Sequence, residues 1–268
     1  MFVDKFVVNA MLMTNKTFNI ISKDKSQVVN KINKLMTNNG FKKEIKNPKY
    51  VFVLGGDGTF IKTINKFYSK EVNLIHINTG NIGFYSKFNS KKLPSINQIT
   101  NESNYINPDV LLAKAKNKYF NAINEIAIKS TNTISCDIYI NNTFYESFRG
   151  SGLLVSTKTG STGFCKSALG SIIFPTVDAY ELVELFPTLH AKKNSISSPI
   201  VLGTKSKITI KNILSNYSNS LITDGIERTC LSNEDSLNIE IIKPKFKLLF
   251  TKNESEYIKK IQETFING

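Results

Sequence analysis

The feature that most constrains this chain is a glycine-rich turn within residues 50–60. The apolar run of residues 50–54 predicts a buried strand, and the apolar residues after the turn have the spacing of a helix. A turn between a strand and a helix attracts an anion, because the backbone N–H groups of the turn and the helix N-terminus point towards it. Glycines also let a phosphate approach without meeting a Cβ. We therefore predict phosphate binding by Gly55, Gly56, Gly58 and Thr59.

Asp57 is the unusual residue of this turn, because its carboxylate stands where a phosphate would bind. The local pattern leaves two interpretations open: Asp57 caps the helix of an α/β domain, or it takes part in chemistry. No Walker-type lysine follows the turn, where Thr59 and Phe60 stand instead. The role of Asp57 therefore depends on motifs elsewhere in the chain.

The composition favours a globular protein with an anionic partner. A chain of 268 residues with 41% hydrophobic content can bury a large core in one or two domains. The formal net charge is +14, from 35 basic and 21 acidic residues. Such a balance favours nucleic acid or a phosphorylated small molecule, with a merely solvated, lysine-rich surface as the alternative. The basic residues are scattered and form no recognisable nucleic-acid module, so we expect no nucleic-acid partner.

The sequence predicts a cytoplasmic protein without membrane contact. No apolar run is long enough to span a bilayer. Residues 6–13 are apolar, but Asp4 precedes them and no clear cleavage pattern follows, so we do not predict a signal peptide. They form an extra strand or an extension upstream of another start, at Met11 or Met13. The three cysteines are widely spaced, which indicates a reducing compartment and no metal knuckle: Cys136, Cys165 and Cys230.

Up to about residue 100, predicted strands alternate with predicted helices. Strands are predicted at 17–22, 41–45, 50–54 and 72–77, and helices at 23–36 and after the glycine-rich turn. This alternation predicts a parallel sheet that binds ligands at the carboxyl ends of its strands. A second glycine-rich loop, residues 78–84, should therefore lie at the same edge as the first. His76, inside a strand pattern, is expected to be a satisfied core residue and not a ligand.

After about residue 90, the sequence pattern changes. Residues 91–108 are polar and carry two prolines, which predicts a boundary. Short alternating runs between residues 110 and 250 predict a β-rich domain, with a short helix at 178–185. The tail is amphipathic and is expected to pack on the first domain. The predicted domains are an α/β domain at 1–100, a β-rich domain at 101–250 and a C-terminal tail at 251–268.

Two motifs of the β-rich domain carry polar groups suited to a nucleotide. Asn124-Glu125 places an amide beside a carboxylate at a strand edge, and such a pair can bind ribose hydroxyls or base edges. Residues 148–164 read as a strand followed by a loop dense in Gly, Ser and Thr, which offers many donors in a small volume. A flexible surface loop is the alternative. Asp224-Gly225 is typical of a hairpin turn.

Taken in order, these motifs resemble those of the NAD kinase family, whose members phosphorylate the adenosine ribose of NAD at its 2′-hydroxyl. The resemblance runs from about residue 18 onward. Diacylglycerol and sphingosine kinases and phosphofructokinases share the first motif, whereas the Asn-Glu pair and the Gly-Ser-Thr loop distinguish NAD kinases. The resemblance implies a Rossmann-like α/β domain and a β-rich domain with the active site between them. It also implies a homodimer or homotetramer in which neighbouring subunits contribute to the site.

The resemblance also implies roles for individual residues. Asp57 matches the family's proton acceptor, and Gly58 lies beside it against the NAD. Asn124 and Glu125 match the pair that binds the dinucleotide, and Arg149 matches a basic residue near the ligand that can reach a neighbouring subunit's site. The loop that wraps the NAD corresponds to Thr162, Gly163, Phe164, Cys165, Lys166 and Ser167.

This chain departs from the family pattern in three places. Ser151 stands where Asp is usual in Arg-Gly-Asp-Gly, so its contact with NAD should be weaker than that of a carboxylate. Gly163-Phe164 replaces the usual Ala-Tyr, which keeps an aromatic face. Ile226 follows Asp224-Gly225 where a polar residue is frequent. Ser151 and Ile226 motivate one alternative, a non-catalytic dinucleotide-binding protein.

The mechanism implied by the resemblance is phosphoryl transfer, which needs alignment and charge neutralisation. Asp57 would orient the ribose 2′-hydroxyl and accept its proton. Mg²⁺ or another divalent cation would bridge the donor phosphates, and no metal-ligating residue is predicted. The sequence leaves the donor open between ATP, another nucleotide and polyphosphate. A lipid kinase of the diacylglycerol type is the other alternative, although it would lack the downstream motifs.

Overall fold

The structure is a computed structural model that describes residues 16–23, 27–80, 83–188, 195–215, 218–250 and 253–267. The apolar segment at 6–13, and Asn81 and Ile82 of the second glycine-rich loop, lie outside the described residues. The chain forms two compact units. Unit 1 comprises Met1–Pro108 and Pro244–Gly268, and unit 2 comprises Asp109–Lys243.

The first segment of unit 1 alternates strands with helices. Its elements are β1 (Thr17–Ser22), α1 (Gln27–Asn38), β2 (Lys42–Lys43), β3 (Tyr50–Gly55), α2 (Asp57–Ile64), β4 (Asn73–Asn78), β5 (Phe88–Asn89), α3 (Ile96–Thr100), a 3₁₀ turn (Glu102–Asn104) and β6 (Tyr105–Ile106). Buried Val28, Ile32 and Met36 recur at helical spacing along α1 and pack in the same core as Phe52 of β3.

Unit 2 is built mainly from strands. Its elements are β7 (Val110–Ala115), β8 (Lys118–Ala122), β9 (Glu125–Ile140), β10 (Thr143–Thr157), a 3₁₀ turn (Gly160–Thr162), α4 (Phe164–Ser167), β11 (Ala179–Leu185), β12 (Ile200–Gly203), β13 (Ile208–Leu214), β14 (Asn219–Thr223), β15 (Ile226–Leu231) and β16 (Leu237–Ile242). The chain then returns to unit 1 with β17 (Lys247–Leu249) and α5 (Glu254–Phe265). No helix in the described ranges is long and apolar enough to cross a membrane.

The sheet of unit 1 positions both glycine-rich loops. Its strand order is β2-β1-β3-β4-β17-β6, β5 pairs with β4, and all pairs are parallel apart from β17 with β6. Strands β3 and β4 are almost wholly buried, as expected for parallel strands covered on both faces. Gly55 pairs with Asn78, so the two loops leave the same edge of the sheet, as the sequence predicted.

The sheet of unit 2 is antiparallel throughout, with the order β12-β11-β10-β9-β13-β16-β7-β8 and with β14 paired to β9 and β15. The two long strands β9 and β10 are joined by Asn141-Asn142, both with positive φ, the geometry of a tight hairpin turn. The α/β and β-rich architecture predicted from the sequence is therefore confirmed.

The predicted helix at residues 178–185 is wrong. These residues form β11, Ala179–Leu185, and every one of them is buried. Glu181 and Glu184 lie three residues apart, a spacing that resembles the polar face of a helix. In the structure both are buried, and the Glu181 carboxylate accepts a hydrogen bond of 2.8 Å from the backbone N–H of Ser171. Hydrogen bonds within the protein, and not contact with water, therefore make it possible for these glutamates to stand in a buried strand.

The C-terminal segment belongs to unit 1. The chain enters unit 2 after Pro108 and leaves it at Pro244, whereas the sequence boundaries were set at residues 100 and 250. The boundaries fall there because β6 and β17 pair with each other and complete the first sheet. Helix α5 continues this unit, since Lys260 Nζ donates to the carbonyl oxygen of Phe84 at 3.2 Å.

Gly152, at a bulge between β9 and β10, gives a first testable prediction. A Cβ at this position would lie 2.2 Å from the carbonyl oxygen of Ile128, so the two strands would have to separate. We expect Gly152→Ala to lower the free energy of unfolding by about 1–3 kcal/mol in urea titrations. Gly203→Ala is the matched control, because a Cβ there meets nothing within 4 Å. Equal stability of the two variants would contradict the close packing of these strands.

Candidate functional site

The glycine-rich turn of unit 1 leads directly from β3 into α2. Gly55 has a φ of +153°, and a Cβ on it would lie 2.7 Å from Thr59 Cβ, so the turn requires glycine here. Gly56 occupies the N-cap position of α2 and makes no side-chain cap hydrogen bond. Asp57 is therefore the first residue of the helix and not its cap, which removes one of the two interpretations of this carboxylate.

The Asp57 carboxylate is held by the second glycine-rich loop and lies next to His76 of β4. Its Oδ2 accepts a hydrogen bond of 2.8 Å from the backbone N–H of Phe84, and its Oδ1 lies 3.6 Å from Nδ1 of His76. The side chain is still 28% exposed. The hydrogen bond from Phe84 thus fixes the orientation of the carboxylate, while part of the side chain remains exposed to solvent.

A basic cavity of about 500 Å³ lies beside this turn, within unit 1. Gly56, Gly58 and Thr59 line it, and a Cβ on either glycine would meet no atom within 4 Å. Its other lining residues include three lysines: Lys23, Lys62 and Lys66. Exposed N–H groups at a helix start and several ammonium groups make this cavity suitable for a run of phosphates.

In unit 2, one carboxylate organises the Asn124-Glu125 turn. Asp224 Oδ2 accepts a hydrogen bond from the backbone N–H of Ile123 at 2.9 Å, and its Oδ1 accepts from those of Asn124 at 2.8 Å and Glu125 at 3.2 Å. Asp224 and Gly225 have φ values of +48° and +75°, so the predicted hairpin turn joins β14 and β15. The turn thus supplies the carboxylate that fixes the pair of residues before β9.

The Gly-Ser-Thr loop packs directly on the same turn. Thr157 Oγ1 donates to the carbonyl oxygen of Ile123 at 2.6 Å, and Gly160 lies so close that a Cβ on it would be 2.3 Å from the carbonyl oxygen of Asn124. A Cβ on Gly163 would lie 3.8 Å from Asn124 Nδ2 and 3.9 Å from Glu125 Oε2. The fold therefore brings Asn124, Glu125 and Gly163 together, although they are far apart in sequence.

Comparison with known proteins identifies the family. A family model described as the ATP-NAD kinase N-terminal domain matches residues 5–104, and one described as the ATP-NAD kinase C-terminal domain matches residues 123–251. The NAD kinase of Ureaplasma parvum serovar 3 is 38% identical over 229 residues, which are 85% of this chain and 85% of that protein. The NAD kinase of Mycoplasmoides gallisepticum is 39% identical over 223 residues, 81% of each chain.

The chain belongs to the NAD kinase family.

Two solved structures share the fold of this chain. The crystal structure of a yeast NADH kinase complexed with NADH has a TM-score of 0.73 at 20% identity and covers 94% of this chain and 88% of that one. The crystal structure of an NAD kinase from Archaeoglobus fulgidus in complex with ATP has a TM-score of 0.74 at 18% identity. The match covers 92% of this chain and 98% of that one. At sequence identities this low, the structural similarity shows that the folds are alike and nothing further.

The side chains of the loop that follows β10 differ in their exposure. Thr162 and Cys165 are buried, and Cys165 Sγ donates to Glu181 Oε1 at 3.1 Å, so its side chain faces the protein core. Phe164 is 39% exposed, and the ammonium group of Lys129 lies 3.9 Å from its ring centroid. Gly163 and Ser167 are exposed, and Lys166 is half-buried.

Arg149 and Ser151 lie elsewhere on β10. Ser156 pairs with Glu125, whereas Arg149 pairs with Ser135, seven residues away along the strand. That separation corresponds to roughly 20 Å at the usual rise of a strand. Both Arg149 and Ser151 are exposed, and Arg149 lines a separate cavity of about 530 Å³ in unit 2. Within a single copy of the chain, these two residues are therefore not brought together with Asn124 and Glu125.

Three features of the candidate site were not predicted from the sequence. Lys62 lies in the last turn of α2 and Lys66 in the turn after it, and their spacing of four residues was a sequence signal for two neighbouring basic side chains. Asp224 was recognised as a turn residue but not as the acceptor of three backbone N–H groups 100 residues upstream, because only the fold reveals such a contact. The contact between His76 and Asp57 likewise depends on strand pairing.

Burial makes Glu125 a weak acid in the folded protein. Desolvation raises the pKa of Glu125 to about 7, and the nearby Asp224 carboxylate adds to the rise while Lys129 opposes it. Its Oε2 has no hydrogen-bond partner among the described residues. The folded protein thus binds this proton more tightly than the unfolded chain does, so the contribution of Glu125 to the free energy of unfolding falls as the pH rises from about 4.5 to 7.

Glu125→Gln tests this conclusion, because a neutral amide carries no such penalty. At pH 8 we expect the variant to exceed the wild type in free energy of unfolding by about 1–3 kcal/mol, and at pH 5 the difference should largely vanish. Urea titrations at the two pH values measure it. Glu234→Gln, at an exposed position, is the control and should show no pH-dependent difference. A Glu125→Gln variant that is equally stable at pH 8 would place an ionised, well-solvated carboxylate at this position.

Proposed function

We propose that this chain transfers the terminal phosphoryl group of ATP, or of another nucleotide or polyphosphate, to the 2′-hydroxyl of the adenosine ribose of NAD, giving NADP. The single observation that carries the assignment of roles is the position of Asp57. Asp57 is the first residue of α2, its carboxylate is oriented by the Phe84 N–H, and its two chain neighbours, Gly56 and Gly58, line the cavity that contains three lysines. A protein that only bound phosphates would gain little from a carboxylate there, since like charges repel.

In this proposal, unit 1 supplies the chemistry and the donor site. Asp57 orients the ribose hydroxyl and accepts its proton, and orientation is the larger part of its contribution. The backbone of Gly56 and Gly58 together with Lys62 and Lys66 bind and neutralise the donor phosphates. Gly55 contributes through the backbone geometry that the turn requires. The cavity accommodates a chain of phosphates from ATP or from polyphosphate; we take ATP as the first donor to assay.

Unit 2 binds the dinucleotide in this proposal. Asn124 and Glu125 bind hydroxyl or base-edge groups, and the loop of Thr162, Gly163, Phe164, Cys165, Lys166 and Ser167 covers the ligand, with Cys165 acting through its backbone. Arg149 and Ser151, roughly 20 Å along β10, act on the NAD of a neighbouring subunit. A homodimer or homotetramer is the assembly this requires, and we place it in the cytoplasm.

The divalent cation, Mg²⁺ in our proposal, enters with the donor. Within the described ranges, no group of three or more His, Cys, Asp or Glu side chains is placed to hold a metal ion. Mg²⁺ is commonly bound through substrate phosphates and water, which suits a cavity whose charged residues are lysines. When bound, it offsets the charge of the phosphate oxygens.

The decisive experiment assays purified protein for NADP formation from NAD, ATP and Mg²⁺, beside the variant Asp57→Asn. The amide keeps the shape but cannot accept the proton, so turnover should fall about 100-fold or more, while the Kd for NAD changes little. Asp178→Asn, whose side chain is 81% exposed in unit 2, is the control and should keep wild-type turnover. Near-normal turnover of Asp57→Asn would remove the proton acceptor from the proposal.

A second experiment tests the dinucleotide site of unit 2. Asn124→Ala removes an amide next to the buried Glu125 carboxyl, so partner groups on NAD would be left unpaired. We expect a loss of about 1–3 kcal/mol in NAD binding by calorimetric titration. Asn233→Ala, at an exposed position of the same unit, should bind NAD like the wild type. Unchanged affinity in Asn124→Ala would move the dinucleotide site to another part of the chain.

A further inference from the structure

His76 lies in the middle of β4 and is only 2% exposed. Its ring stacks on Phe60 of α2, with centroids 4.4 Å apart and planes inclined by 7°. Its Nε2 lies 2.8 Å from the carbonyl oxygen of Gly55. The sequence led us to expect a satisfied core residue, but only one of the two ring nitrogens has a hydrogen-bond partner among the described residues.

The contact with Gly55 fixes where the ring proton is. A carbonyl oxygen only accepts hydrogen bonds, so Nε2 carries the hydrogen. Burial lowers the pKa of His76, an effect that the Gly55 hydrogen bond and the Asp57 carboxylate oppose and that Lys260 reinforces. The ring is therefore neutral at physiological pH, and Nδ1 presents a lone pair.

That lone pair faces Asp57. Nδ1 of His76 and Oδ1 of Asp57 are 3.6 Å apart, and both atoms are buried without a hydrogen-bond partner among the described residues. While Asp57 is ionised, the two atoms are both acceptors and no hydrogen bond joins them. A single proton on the carboxyl group would satisfy both atoms at once. Two facing buried acceptors of this kind favour the protonated carboxyl over the carboxylate.

We propose that His76 is a positioning residue that strengthens Asp57 as a proton acceptor, its Nδ1 accepting a hydrogen bond from the Asp57 carboxyl once that group has taken the ribose proton. This inference rests on the proposed function. In the step, the hydroxyl O–H bond breaks and its proton passes to Asp57, while the hydroxyl oxygen forms a bond to the transferred phosphorus as the donor's P–O bond breaks. His76 stays neutral throughout and gains only a hydrogen bond.

The geometry permits this whichever carboxylate oxygen receives the proton. Oδ2 accepts from the Phe84 N–H, and a half-turn of the carboxyl group about the Cβ–Cγ bond exchanges the two oxygens while keeping that hydrogen bond. The partial negative charge of Nδ1 also opposes the carboxylate charge as a whole. The interaction with His76 is thus more favourable after proton transfer than before it, which is the condition for accelerating a reaction.

Lys260 of α5 acts in the opposite direction. Its Nζ donates to the carbonyl oxygens of Phe84 at 3.2 Å and Ser86 at 2.5 Å, and its charge acts on both Asp57 and His76. Within the described ranges, Asp57 and Lys260 are the charged groups that act on His76. Lys260 favours the carboxylate that must exist before the reaction, and His76 favours the carboxyl group that the reaction forms.

His76→Gln is the variant that isolates Nδ1, because its amide nitrogen can occupy the position of Nε2 and keep the hydrogen bond to Gly55. We expect kcat to fall about three- to tenfold and the KM for NAD to stay within about twofold. The acid limb of the kcat/KM profile should move to lower pH by about one unit, which corresponds to a tenfold lower proton affinity. His76→Asn, whose amide can reach the Nδ1 position and donate, should move the limb in the same direction.

A double-mutant comparison separates this role from a structural one. If His76 acts through Asp57, His76→Gln should cause no further loss in the slow turnover that remains in Asp57→Asn. A shift of the acid limb to higher pH in His76→Gln would show that His76 is instead a cation paired with Asp57. An acid limb that does not move, or a further loss of turnover when His76→Gln is added to Asp57→Asn, would also overturn the inference. Should Asp57→Asn itself keep normal turnover, the proposed function fails. Should only His76→Gln leave the profile unmoved, this inference fails alone.

Discussion

The parallel pairing of β3 with β4 is the constraint on which the candidate site of unit 1 depends. It sets Val53 opposite His76 and Gly55 opposite Asn78, so the turn after β3 and the loop after β4 begin side by side. Phe84 N–H can then reach Asp57, and the His76 ring can reach both Gly55 and Asp57. A register slip of one residue would turn His76 to the other face of the sheet, and all of these contacts would be lost.

In unit 2, the half-buried carboxylate of Asp224 holds a turn of the candidate site in place. Burial raises the pKa of Asp224, while the N–H groups of Ile123, Asn124 and Glu125 oppose the rise by bonding to its charged form. Three backbone hydrogen bonds therefore offset part of the desolvation cost and hold the Asn124-Glu125 turn rigid. The same arrangement places a second carboxyl, that of Glu125, close to Asp224, and this proximity contributes to keeping Glu125 a weak acid. Asp224 thus orders the turn and also adds to the rise in the pKa of Glu125, whose main cause is burial.

Most of the fold could be predicted from local sequence patterns. The features that could not be predicted depend on contacts between residues that are distant in the sequence. The glycine-rich turn, the alternation of strands and helices and the Asp224-Gly225 hairpin depend on neighbouring residues, so they could be predicted. The structure of residues 178–185 could not be predicted in this way. The spacing of Glu181 and Glu184 is that of the exposed face of a helix, but both residues are buried in β11. The acceptor role of Asp224 and the environment of His76 arise from tertiary contacts with no local sequence signature.

The family motifs name Asp57, but they do not explain how a carboxylate can serve as a base beside phosphates. A useful base must be ionised before the reaction and must still bind the proton it receives, and these demands oppose each other. We propose that separate groups meet them in this chain: the Phe84 N–H and Lys260 favour the carboxylate, and Nδ1 of His76, which has no hydrogen-bond partner among the described residues, favours the carboxyl group. A core histidine with one unsatisfied nitrogen would be a defect in a purely structural strand. In our proposal, where Asp57 is the proton acceptor, the same atom has a use, because the reaction itself supplies the proton it lacks.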